Sequence, residues 1–169
     1  MTFQIGEKVV YPNQGVATVE NISARSFGSQ FERFYLLRLA YSSMTVLVPF
    51  SHVQQVGLRK VTKATEIARV LEYLACGNCK CSADWKARFK ENSDKMLHGS
   101  LLEIAQVFKS LVIIQKEKPL SFREKKMLDR ARLMLIGEVG ISRGVGDADA
   151  IEIMGRSLAK ASLPFPEAM

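Results

Sequence analysis

The chain is poor in the residues that do chemistry. Its 169 residues include two histidines, His52 and His98, and neither has a Ser/Asp constellation nearby that would make a catalytic triad. Cysteine is scarce as well. The three present, Cys76, Cys79 and Cys81, are crowded together and odd in number, which does not read as a disulfide framework and fits a reducing compartment. They do contain a C-x-x-C, but a structural zinc needs about four ligands and only three thiols are local. A thioredoxin-like C-x-x-C would stand near a βαβ unit, and none is visible. No metal and no cofactor are expected. The rival reading is a metal- or thiol-dependent module built on Cys76, Cys79 and Cys81.

Long apolar runs are missing too. None approaches the roughly 18–20 residues of a membrane span. Gln4, Gly6, Glu7 and Lys8 interrupt the N-terminus before a signal peptide's apolar core could form. The expected location is the cytosol, with no membrane partner. There are no repeats and no low-complexity segments. Apolar residues make up 47%, enough for a core, while a net charge of +7 and a pI near 9.5 point towards a polyanion or towards an ordinary basic protein.

The opening stretch is β in character. Lys8–Tyr11 and residues 16–22 are rich in β-branched, aromatic and aliphatic types, and Pro12-Asn13-Gln14-Gly15 joins them as a tight turn. Further β-type runs follow at 31–40, 44–49 and 52–56, broken at Ser26-Phe27-Gly28-Ser29 and Tyr41-Ser42-Ser43. Five short strands in about sixty residues predict a small antiparallel barrel of the SH3 or Tudor type. Such a barrel leaves an edge strand that can dock another sheet.

After residue 60 the period turns helical. Ile67, Val70, Leu71 and Leu74 form one stripe, and Ser100-Leu101-Leu102-Glu103 and Ser121-Phe122-Arg123-Glu124 are capping boxes. Asp147 opens a last helix, and with 83–97 this predicts five. The fold class is α+β, β then α: a small SH3- or Tudor-like antiparallel barrel at 1–60, a compact five-helix domain at 61–162, and a disordered tail at 163–169, where Pro164 and Pro166 forbid a helix.

One helix combines the only tryptophan with cations: Asp84-Trp85-Lys86-Ala87-Arg88-Phe89-Lys90. Asp84 or Ser82 can cap it, which leaves Trp85 in the first turn and able to project beyond the helix body. Arg123, Lys125, Lys126, Arg130 and Arg132 add a second basic stretch. From the residues alone two readings stand: Trp85 and Phe89 as core beneath a solvated charged face, or an aromatic and basic surface for nucleic acid.

Several segments carry a family resemblance. G-E-K-V-V-Y-P-N-Q-G-V-A from Gly6, Val48-Pro49, V-G-L-R from Val56, W-K-A-R-F-K from Trp85, L-S-F-R-E-K-K-M-L-D-R-A-R from Leu120 and L-I-G-E from Leu135 occur in order. In these the chain resembles the CarD/CdnL family of bacterial transcription regulators over nearly its full length. The resemblance implies a nucleoid-associated protein that is not an enzyme, with a Tudor-like N-terminal module on the RNA polymerase β subunit of the holoenzyme with its housekeeping sigma factor, and a helical domain on promoter DNA at the upstream edge of the bubble. It implies polymerase contact around Arg25, Leu47, Val48 and Pro49, with Leu47 standing where a basic residue is expected and Arg33 or Arg38 as substitutes. It implies DNA contact by Trp85, as a wedge at the fork, and by Lys86, Arg88, Lys90 and Lys125 on the backbone. A monomer that stabilises the open complex, with no sequence recognition of its own, is the expectation.

Overall fold

The structure is a computed structural model that describes residues 2–76 and 84–168. It divides into two compact units, Met1–Val61 and Thr62–Met169.

The first unit is one antiparallel sheet of five strands in the order β4-β3-β2-β1-β5. The strands are β1 (Lys8–Tyr11), β2 (Gly15–Phe27), β3 (Gln30–Leu39), β4 (Thr45–Pro49) and β5 (Arg59–Lys60). The β1–β2 turn uses positive φ at Asn13 (64°) and Gly15 (92°), and pairs Tyr11 with Gly15. A register shift between Val19 and Asn21 interrupts the long β2–β3 ladder, the kind of irregularity that bends a strand. Alternate residues Tyr35, Leu37 and Leu39 of β3 point into a core with Phe3, Val9, Ala17, Val19, Val48, Val53 and Leu58. At its centre the Tyr35 ring stacks on Phe50, with centroids 4.2 Å apart, and its hydroxyl accepts a hydrogen bond from Phe3 N at 3.0 Å.

Residues 52–56, expected as the fifth strand, are helical instead. A 3-10 turn, Phe50–His52, runs into the short helix α1 (Val53–Val56), which Gly57 ends at φ 85°. Pro49 starts the turn with its φ already near the helical value, and Gly57 alone supplies the left-handed stop. Val53 and Leu58 then reach the core from either side of that stop. The fifth strand comes later, where Arg59 and Lys60 pair with Val10 and Val9.

The second unit has helices α2 (Ala64–Cys76), α3 (Trp85–His98), α4 (Leu101–Glu117), α5 (Phe122–Arg143) and α6 (Asp147–Lys160). Ser100 and Ser121 cap α4 and α5, their hydroxyls accepting from Glu103 N and Glu124 N at 3.4 and 3.2 Å. Helix α4 is buried on most sides and forms the centre of the unit, with Ile104, Phe108 and Leu111 fully enclosed. Helix α5 changes character along its length. Residues 134–140 are all buried, whereas Arg123, Lys125, Lys126 and Arg130 near its start are exposed. The buried carboxylate of Glu138 accepts from Thr62 N at 2.8 Å and also from the Thr62 hydroxyl, which fixes the chain as it enters this unit.

The expectation of a disordered tail does not hold for residues 163–168. Leu163 is buried, the Phe165 ring lies 5.7 Å from that of Phe108, and Arg132 Nε donates to Pro166 O at 3.1 Å. Proline prevents a helix here but not an extended segment whose two apolar side chains pack on α4 and α5. Among the described residues no helix is long and apolar enough to cross a membrane.

Candidate nucleic-acid interface

Trp85 is the first residue of α3. The Asp84 carboxylate caps the helix, accepting from Lys86 N at 3.2 Å. The buried face of α3 is the stripe Arg88, Asn92 and Met96, spaced one turn apart. Trp85 lies on the same side, but at the end of the helix that face has run past the body of the unit, and 53% of the residue is exposed. It is therefore not a core residue; Phe89, a turn on, is half-buried. The Lys86 ammonium stands 5.8 Å from the Trp85 ring centroid, close enough for a cation–π contact.

Lys86, Lys90 and Lys125 are exposed, as phosphate contact requires. Arg88 is not. It is 6% exposed, and its Nε and Nη2 donate to Glu124 Oε2 and Oε1, each at 3.0 Å. Placing Arg88 on the DNA backbone is corrected by this geometry, because both faces of the fork are committed to a carboxylate inside the protein. Glu124 is also the capping-box residue of α5. The pair thus ties the first turn of α3 to the first turn of α5. Beside it, the Arg123 guanidinium lies 5.8 Å from the Phe89 ring.

This arrangement exposes a residue that the sequence reading passed over. Phe122, the first residue of α5, is 64% exposed, with the Lys126 ammonium 4.6 Å from its ring centroid. The signal lay in the sequence: Ser121-Phe122-Arg123 repeats the order of Asp84-Trp85-Lys86, a capping residue, an aromatic and a cation.

In the first unit β4 is an outer strand of the sheet. Leu47 sits on it, opposite Leu36, and is 43% exposed. Val48 points into the core and offers a partner only its backbone, while Pro49 is half-buried. Arg25 is exposed on β2, in register with Glu32. Of the two possible substitutes for a basic residue at Leu47, Arg38 is engaged by Glu20 at 2.6 Å and Arg33 is exposed opposite Ala24.

Cys76 ends α2, exposed, with its thiol donating to Glu72 O at 3.1 Å. Cys79 and Cys81 lie outside the described residues. Among the described residues no group of three or more His, Cys, Asp or Glu is placed to hold a metal ion.

The first unit is thus a sheet with an outer strand, and the second a helical unit with exposed rings and cations at two helix starts joined by the Arg88–Glu124 pair. The family follows from comparison. Residues 3–62 match the CarD-like/TRCF RID domain, and residues 69–155 match the CarD C-terminal domain. The chain is 35% identical over 143 residues, 85% of its own length and 94% of the relative's, to YdeB of Bacillus subtilis (strain 168), a protein named as a transcription factor. Two solved structures from Myxococcus xanthus are similar to its first part. They are the 72-residue N-terminal domain of CarD (36% identity, 35% of this chain, 79% of that one, TM-score 0.31) and CdnLNt (38% identity, 36% of this chain, 86% of that one, TM-score 0.31). The chain belongs to the CarD family of transcription regulators.

Proposed function

We propose that this protein binds the RNA polymerase β subunit through its first unit and stabilises the promoter open complex through its second. In the first unit the contact is the outer strand β4 around Leu47 and the backbone of Val48 and Pro49, with Arg25 at the rim. An unpaired strand edge offers backbone donors and acceptors to a strand of the partner, and a rim charge steers the encounter. In the second unit Trp85 rests against bases at the upstream edge of the bubble, and Lys86, Lys90 and Lys125 hold the phosphates. A ring in that position occupies space that re-annealing needs, so it favours melted DNA over duplex. Phosphate contacts add affinity without reading sequence.

The observation that carries this reading is the exposure of Trp85 at the start of a capped helix, beside the Lys86 ammonium, where it supports no core. Membership of the CarD family supports the same assignment. The test is one variant measured two ways. Trp85→Ala should remove stacking of about 1–3 kcal/mol from the open complex, shortening its lifetime several-fold to about a hundredfold. The melting temperature should barely change, because an exposed ring leaves no cavity. A full-length open-complex lifetime with Trp85→Ala, or a lifetime lost only in step with folded protein, would sink the wedge.

A further inference from the structure

An exposed phenylalanine by itself means little, since single apolar residues are common on protein surfaces. Phe122 is different in its company. Among the described residues of the second unit, Trp85 and Phe122 are the aromatic side chains that are mostly exposed, at 53% and 64%. Each is the first residue of its helix, each follows a residue whose side chain caps that helix, and each has a lysine ammonium near its ring. The two first turns are bound to each other by the buried Arg88–Glu124 pair. The two rings are thus held on joined supports, where either could meet the same ligand.

The charges around them select the ligand. Lys86, Lys90, Arg123, Lys125 and Lys126 are exposed there and outnumber the exposed carboxylates Asp84 and Glu91; Asp84 caps its own helix, and Glu124 is buried and matched by Arg88, so it does not repel an anion. Flat rings among cations fit unpaired bases joined by phosphates, because every base has a face to stack on and every linkage a charge to neutralise. We propose that Phe122 is a second base-contacting ring, and that Trp85 and Phe122 together form a two-ring platform for unpaired DNA, with Lys126 on an adjacent phosphate. This rests on the reading of Trp85 given above.

The test places a photoreactive benzoylphenylalanine at position 122, or separately at 85, in the full chain bound to a polymerase–promoter open complex. Both positions should cross-link to promoter DNA at the bubble edge. Cross-linking at 85 to DNA but at 122 only to a polymerase subunit would overturn the role of Phe122 and leave that of Trp85 standing. No DNA cross-link from either would overturn both. In parallel, Phe122→Ala should shorten the open-complex lifetime by about fivefold to a hundredfold with an unchanged melting temperature, and Phe122→Trp should retain the effect. Phe122→Leu, which keeps bulk without a ring, should behave as the alanine variant does; an unaltered lifetime in Phe122→Ala refutes the proposal.

Discussion

Arg88 and Lys90 stand two residues apart and have opposite fates. Lys90 faces water; Arg88 falls on the stripe of α3 that faces inward and meets Glu124, 36 residues along the chain. Removing one member of a buried, bidentate ion pair leaves the other charged and without its match, which typically costs about 3–5 kcal/mol. Arg88→Ala is therefore expected to lower the melting temperature markedly, and the double change Arg88→Met with Glu124→Leu to recover much of the loss. Lys90→Ala should leave stability nearly untouched and reduce the magnitude of the DNA-binding salt slope by about one unit, equally on different sequences. Denaturation and salt titration of the two single variants separate these roles; a thermally normal Arg88→Ala with a reduced salt slope would return Arg88 to the phosphates. The difference was only partly legible in the sequence. Charge and helical spacing are local, and they placed Trp85, Lys86 and Lys90 on one short helix. The partner that claims Arg88 arrives through tertiary folding, and no local pattern announces it. The placing of Phe122 was legible, since its capping residue Ser121 and the cation Arg123 are its chain neighbours, as Asp84 and Lys86 are those of Trp85.

Elements were legible in proportion to how local their determinants are. Each capping box is a hydrogen bond between residues three apart, and both Ser100 and Ser121 cap the helices that their patterns announce. The β1–β2 turn follows from Pro12 and Gly15 in the same way. Helix α1 is only four residues long, too short to display a period, so its β-branched Val53 and Val56 resemble a strand. The tail misled for the opposite reason: its prolines declare what it cannot be, while its docking depends on Phe108 and Arg132 far back in the chain. Gly99 shows an element boundary set by close approach. A Cβ there would sit 2.3 Å from Lys95 O and 2.8 Å from Glu103 Cβ, so the turn from α3 to α4 admits no side chain without moving backbone. Gly99→Ala should destabilise the protein by about 1–3 kcal/mol, as overpacking does. Chemical denaturation checks this, and a neutral or stabilising alanine would mean that the turn opens freely.

At the scale of the whole molecule, the two units are asked to do separable things, and that separation can be measured. On the proposed function, binding to polymerase would set how much protein is needed for an effect, and contact with melted DNA would set how large the effect is once polymerase is saturated. Arg25 lies in the first unit and Trp85 in the second, both exposed, and neither supports a core. Arg25→Glu reverses a rim charge and should raise the concentration for half-maximal effect by about tenfold, with the shift shrinking in high salt as screening weakens the charge. At saturation, the open-complex lifetime should match that of the unaltered protein. Trp85→Ala should do the reverse, lowering the plateau with only a small movement of the midpoint through whatever free energy DNA contact lends to the assembled complex. The double variant should then combine the two losses, since sites in separate units without shared partners act almost independently. Full titrations of open-complex lifetime with all four proteins test the division. If Arg25→Glu lowered the plateau, or Trp85→Ala shifted the midpoint as far as Arg25→Glu does, polymerase binding and DNA contact would not be divided between the units as proposed.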